Sequence, residues 1–226
     1  MLKSNVVKRV DVIAPSDSRL LSVNVTGHLH DGAKWTGSLG RSGIDKRPFA
    51  GPLLLADHSV EADSVINRVD HGGEWQAVYA YAREDALWWE QELGIRIDNG
   101  RFGENLTTVG LDITNALIGE RWRIGSATLQ VTVPRIPCRV FAGFWERPDL
   151  IKAFALARRP GTYLRIVEEG HVAANDRITV IERPAKAATV AQAFACKTGD
   201  REHLDLLKCT NGLAPEWREW LVSIAS

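Results

Sequence analysis

Cys138 occupies the most informative local context of the chain, Val131-Thr-Val-Pro-Arg-Ile-Pro-Cys138-Arg139. Neither proline can donate to a ladder, so a strand that runs into this stretch stops pairing and the chain leaves its sheet. Arg135 and Arg139 flank the thiol in sequence. Cationic neighbours favour the thiolate, the form that attacks electrophiles and binds soft metals. The same cysteine can also be a small buried apolar side chain. That bland reading is the one left for Cys196, beside Phe194 in a helical segment, and for Cys209, at the end of another.

Asp70-His71-Gly72-Gly73 lies just ahead of an apolar stretch. The glycines allow backbone shapes that other residues avoid and can present His71 to a cavity as a proton donor; a solvated turn histidine is the competing reading. Arg101-Phe-Gly-Glu-Asn105-Leu-Thr107-Thr108 gathers an amide and two hydroxyls in a short run. Such a run can surround an anionic or heterocyclic ligand with hydrogen-bonding groups, or form a polar turn before a strand. Lys46, in Gly43-Ile-Asp-Lys46-Arg-Pro48, carries little signal alone.

The elements that must position these residues read as short strands with few helices between them. Residues 19–27 alternate with Leu21, Val23 and Val25 on one side, and 75–82 reads as another strand. A glycine-rich, poorly periodic stretch from Gly32 to Pro52 reads as a long loop. Arg83–Leu93 has Ala86, Trp89 and Leu93 at helical spacing and Gly94 to end it. Residues 121–133 form a hairpin about Gly125-Ser126, Pro148 opens a helix to about Arg158, and strands follow near Tyr163–Val167 and Arg177–Glu182. This pattern predicts a barrel-like β core. Beyond Pro184, Thr189-Val-Ala-Gln192 is a capping box, Asp200–Lys208 is a second helix, and Trp217, Trp220, Leu221 and Ile224 lie on one face of a third. The expected organisation is a mainly β domain over 1–184 and a small three-helix domain over 185–226.

With 226 residues, 45% of them hydrophobic, the chain can build a core of ordinary size. Eight Trp against three Tyr suggest large buried aromatic contacts. Twenty-eight basic and 28 acidic side chains leave no net charge, which argues against nucleic acid as a partner but allows a local basic pocket. Three cysteines without CxxC spacing suit a reducing compartment. No apolar run is long enough to span a bilayer, and residues 1–18 lack the pattern of a leader. The expected setting is cytoplasmic, with no membrane partner.

Five segments in this order, Gly43–Pro48, Asp70–Gly73, Phe102–Thr108, Pro134–Cys138 and Gly161–Arg165, resemble the MOSC family, the domain found at the C-terminus of molybdenum cofactor sulfurases, and within it the stand-alone bacterial, YiiM-like branch. The resemblance covers roughly residues 20–183, and the helical tail resembles the small domain that follows the core in that branch. It implies a β-barrel with peripheral helices and a molybdenum cofactor (Mo-molybdopterin) in a positively lined cleft, with Cys138 as the metal ligand. It further implies an oxidoreductase that reduces N-hydroxylated compounds such as 6-hydroxylaminopurine to amines, fed by a partner reductase and independent of pyridoxal phosphate. In that frame His71 is the candidate proton donor and Tyr81 a helper. Lys46, Arg135 and Arg165 are candidates for the cofactor phosphate, and Asn105, Thr107 and Thr108 for the pterin or substrate. Ala80 stands where the branch carries a histidine, and Gly32–Arg41 looks expanded, so substrate choice is open. A persulfide carrier on Cys138, serving cofactor assembly, and a binding module without chemistry are the competing functions. The tail is read as structural, or as a contact for the electron donor or for a second copy in a homodimer.

Overall fold

The computed structural model describes residues 17–224, so most of the N-terminal stretch read for a leader lies outside it. The chain forms β1 (Arg19–Asp31), β2 (Arg41–Pro48), β3 (Leu53–Ala56), β4 (Ser59–Val60), α1 (Arg68–His71), β5 (Val78–Ala82), α2 (Arg83–Leu93), β6 (Leu106–Val109), β7 (Arg121–Ile124) and β8 (Ala127–Pro134). It continues through α3 (Arg139–Phe144), α4 (Leu150–Ala157), β9 (Thr162–Glu168), β10 (Gly170–Val172), β11 (Ile178–Glu182), α5 (Val190–Lys197), α6 (Leu204–Lys208) and α7 (Pro215–Ser223). The architecture is mostly sheet with several helices. The main sheet has eight strands in the order β11-β7-β8-β9-β5-β6-β1-β2, and a smaller one has the order β10-β3-β4.

The expected barrel does not close. β11 and β2 are the two edges of the main sheet. The sheet curls far enough for Arg19 to bridge Arg177, with the Leu20 N–H donating to the Asp176 carbonyl at 2.9 Å and the Ile178 N–H to that of Ser18 at 2.8 Å. From Asn24 onward β2 takes the β1 edge opposite β6. The contact of β1 with the start of β11 therefore stays an isolated bridge, and no ladder joins the two strands.

Two further expectations need correction. The register of β1 against β6 shifts between Leu20 and Ser22, so Leu20 is fully buried while Leu21 is only half-buried. A bulge of this kind resets the two-residue period, which the sequence pattern had read as unbroken. The supposed loop from Gly32 to Pro52 holds a 3-10 turn over Lys34–Leu39 and all of β2. β2 is a charged edge strand, and edge strands carry such residues because one side faces solvent. Its Arg, Asp and Lys residues hide the strand period.

Elsewhere local chemistry and structure agree. α2 buries Ala86 and Trp89 and ends at Gly94, whose N–H bonds the Glu90 carbonyl. The capping box at Thr189 and Gln192 opens α5, which packs on β8. β8 is buried along its whole length, and it stops at Pro134. An aromatic seam ties the helices to the sheet, with ring centroids 5.8 Å apart for Trp89 and Phe154, 5.3 Å for Phe141 and Phe154, and 4.2 Å for Tyr81 and Phe102. Phe194, Leu207, Trp217 and Leu221 of the three C-terminal helices join the same apolar cluster.

The loop before β6 is anchored from within. The Glu104 carboxylate is buried and accepts from the Gly100 N–H at 2.6 Å, the Phe102 N–H at 3.0 Å and the Thr107 hydroxyl at 2.8 Å. Burial pushes its pKa up, against the pull of these donors. Glu104→Gln would turn an amide N–H₂ toward one of them. We expect a loss of about 1–3 kcal/mol, the cost of a buried donor without an acceptor, measured by urea denaturation.

Candidate functional site

Cys138 follows the Pro134-Arg-Ile-Pro segment and caps α3 in an extended conformation. It is partly buried and lines a cavity of about 450 Å³. The wall comprises β2 residues around Gly43, residues 64–67 with His71, Tyr79 of β5 and Tyr163 of β9. Gly43 permits this assembly, since a Cβ there would sit 2.2 Å from the Ser64 carbonyl oxygen. Only a residue without a side chain lets β2 approach the Ser64 backbone so closely.

The thiol ionises at about 7 instead of the usual 9.0. Burial opposes this, and a hydrogen bond from His71, the charge of Arg135 and the Phe141 N–H overcome it. Arg139, the other expected cation, is exposed at the cavity rim and is not among the main causes of that shift. Arg135 is 4% exposed, stacks over the Phe141 ring at 4.1 Å, and has a buried Nη1 without a hydrogen-bond partner. Among the described residues it makes no ion pair. His71 is gripped from behind: the Tyr163 hydroxyl lies 3.3 Å from its Nδ1. Burial raises the Tyr163 pKa to about 12, so the phenol stays neutral. A thiolate, an imidazole and a guanidinium without a carboxylate partner thus meet on one cavity wall. This set can ligate a soft metal, donate a proton and attract an anion.

The cavity gathers five of the sequence candidates, Cys138, His71, Lys46, Asn105 and Arg135. Two of the five are already engaged. Lys46 is paired with Asp63, whose carboxyl also accepts from the Asn105 amide at 2.9 Å and from the Thr26 N–H and hydroxyl at 3.0 Å each. Burial pushes the Asp63 carboxyl up, yet Lys46 and these donors hold it below the usual carboxylate range. The other end of the Asn105 amide accepts from the Tyr79 N–H at 3.1 Å. Four candidates lie elsewhere. The Tyr81 hydroxyl donates to the Arg159 carbonyl at 3.0 Å, and Arg165 binds Gln130 at 2.6 Å and Glu74 at 3.2 Å. The Thr107 hydroxyl serves Glu104 and Asn24, and Thr108 is fully buried with an unpartnered hydroxyl. Sequence reasoning passed over Tyr163, Tyr79 and Asp63. Tyr163 lies in the Gly161–Arg165 segment, two residues from Arg165 and so on the same strand face, but nothing local separates the two.

Residues 67–179 match the model of the MOSC domain family. The protein YflK of Bacillus subtilis (strain 168) is 31% identical over 180 residues, spanning 78% of this chain and 81% of its own. A protein of Gibberella moniliformis (strain M3125 / FGSC 7600) named as a reductase is 29% identical over 174 residues, 75% of this chain but 30% of that one. The crystal structure of YiiM from Geobacillus stearothermophilus superposes with a TM-score of 0.75 at 28% identity, covering 92% of this chain and all of that one.

The lowered thiol pKa has two measurable consequences. Alkylation of Cys138 by iodoacetamide should rise with a midpoint at about pH 7, and His71→Gln should move that midpoint upward; an unchanged midpoint in the variant removes His71 from the thiol's environment. The native state also releases its thiol proton before the unfolded state does. This contribution to stability is therefore complete above pH 9.0 and is lost as pH falls through about 7. Cys138→Ser should flatten that slope in denaturation curves.

Proposed function

The chain belongs to the MOSC domain family, and we propose that it is a molybdenum-cofactor-dependent reductase of N-hydroxylated compounds, 6-hydroxylaminopurine being a representative substrate. The likeness to a protein named as a reductase supports the oxidoreductase class. The observation that carries the reading is the pairing, on one cavity wall, of a thiol ionised near neutrality with a buried guanidinium that has no carboxylate partner among the described residues and keeps Nη1 free.

These residues fit the cofactor. Cys138 would hold the metal through its thiolate. Arg135, with a free Nη1, would meet the phosphate; a desolvated guanidinium with no carboxylate partner and an unused donor suits an anion of this kind. Among the described residues no cluster of three or more His, Cys, Asp or Glu side chains could hold a bare metal ion. A metal at Cys138 must therefore bring ligands of its own, as a pterin dithiolene does. Lys46, Asn105 and Arg165 serve the scaffold in this proposal, because their polar groups are already committed to Asp63, the Tyr79 backbone, Gln130 and Glu74.

When bound, the cofactor supplies the two electrons that break the N–O bond. The substrate oxygen leaves as water and the nitrogen is left as the amine, so two protons are also required. His71 hands one to the departing oxygen, and Tyr163 keeps its imidazole turned toward the cavity. Val65, Ile66 and Val140 supply an apolar wall that limits water around the reacting atoms. A separate reductase delivers the electrons in this scheme, and the sparse cysteines suit a reducing compartment such as the cytoplasm. Among the described residues no helix is long and apolar enough to cross a membrane.

The test is metal and pterin analysis of protein made in a host able to build the cofactor, with reduction of 6-hydroxylaminopurine by reduced viologen as the assay. Wild type should carry molybdenum and turn over, and Cys138→Ser should lose both. His71→Gln should keep the metal and lose roughly 10²–10⁴-fold in kcat, the usual contribution of a general acid. Metal-free wild type that accumulates a persulfide on Cys138 would instead establish a sulfur carrier.

A further inference from the structure

A second hollow, of about 780 Å³, lies between the end of β2 and the loop that leads from α2 to β6. Four guanidiniums line it, those of Arg47, Arg83, Arg96 and Arg101, against the carboxylates of Asp45 and Asp98. Their partners differ in kind. Arg83 is held by Glu90 and the Ile97 carbonyl. Arg47 pairs with Asp45 at 3.1 Å and Arg96 with Asp98 at 3.4 Å, but both arginines are largely exposed, at 64% and 89%. Pairs so exposed contribute little and exchange readily for a better anion. Arg101 has no ion-pair partner among the described residues. It is half-buried, stacks over the Phe144 ring at 4.0 Å and the Trp145 ring at 5.2 Å, and donates to the Phe144 carbonyl at 3.4 Å. Burial lowers its pKa, and no carboxylate close enough to pair restores it.

The floor of this hollow is built rather than floppy. Gly100 has a φ of +88° and packs on the Lys46 carbonyl, which a Cβ would approach to 2.4 Å. The buried Glu104 carboxylate holds the Gly100 and Phe102 N–H groups on either side of Arg101. Arg101 is therefore fixed in place before any ligand arrives, which removes much of the ordering cost of binding.

We propose that this hollow is a second site, separate from the Cys138 cavity, that binds a diphosphate group, free or carried on a nucleotide. Arg47 reaches in from β2, while Arg96 and Arg101 reach in from the opposite loop. Each guanidinium offers a planar fork matched to phosphate oxygens. Three forks arriving from two banks suit an anion with more than one charged centre, and a diphosphate offers oxygens to both banks at once.

Calorimetric titration of the full chain with pyrophosphate, and separately with ADP, tests the site. Both should bind, and both should weaken by roughly tenfold in Arg101→Gln, the scale of one lost charge-assisted contact. Arg96→Gln, an exposed side chain outside the fold's interior, should weaken both in the same way and guards against a folding defect in Arg101→Gln. Wild-type affinity in the Arg96 and Arg101 variants, or binding lost only in Arg135→Gln, overturns the proposal and moves the anion to the Cys138 cavity. Binding of ADP without binding of pyrophosphate overturns recognition through the diphosphate.

Discussion

A guanidinium sealed from water without a carboxylate is a costly thing for a fold to keep, because transferring a charge into an apolar interior costs far more than a hydrogen bond returns. Arg135 is such a group, stacked on Phe141 and close to Tyr79, with one nitrogen left bare. Its field favours the thiolate of Cys138 and is itself steadied by that charge. The mutual stabilisation of these two groups is the constraint on which the cavity depends. Remove the arginine and the thiol loses one of the charges that oppose burial, with His71 and the Phe141 N–H left to hold it; remove the thiolate and the arginine loses a negative charge that stabilises it.

The remaining polar groups around the cavity are arranged so that they do not interfere with this pair. Asp63 absorbs the Lys46 ammonium and one end of the Asn105 amide, and Glu104 absorbs the backbone donors of the Gly100–Phe102 turn. Each buried carboxylate is surrounded by donors, as a desolvated charge requires. The consequence is a division of labour: carboxylates fasten the frame, and the cavity keeps a thiolate, an imidazole and a cation without a carboxylate partner among the described residues. His71 belongs to the second group because it is held by the cavity wall itself, by Tyr163 at Nδ1 and by the Cys138 thiol.

Much of the frame was legible from the chain itself. The capping box at Thr189, Gly94 closing α2, and the Gly125-Ser126 hairpin are local devices, and each acts within a few residues of itself. β2 was hidden because an edge strand of charged residues has no apolar period to read, and β1 misled by one step because its bulge depends on the register of β6. The site was half legible. Pro-Arg-Ile-Pro-Cys marked Cys138 and Arg135 through chemistry written in adjacent residues. Tyr81 was the expected helper and Tyr163 was passed over, because nothing in a strand tyrosine's neighbours shows that Tyr81 is fully buried with its hydroxyl on the Arg159 carbonyl while Tyr163 lines the cavity.

By itself the sequence determined the family, the proline-broken exit that presents Cys138, and the local turns and caps, because all of these are set by residue type and short-range backbone geometry. Tertiary structure alone decided which polar groups are spent and which stay available. It paired Lys46 with Asp63, occupied both ends of Asn105, brought Tyr163 from β9 to His71, and left the sheet open where β2 covers the edge of β1. Those outcomes depend on neighbours distant in the chain, and a buried polar group's availability is a property of its partners rather than of the residue.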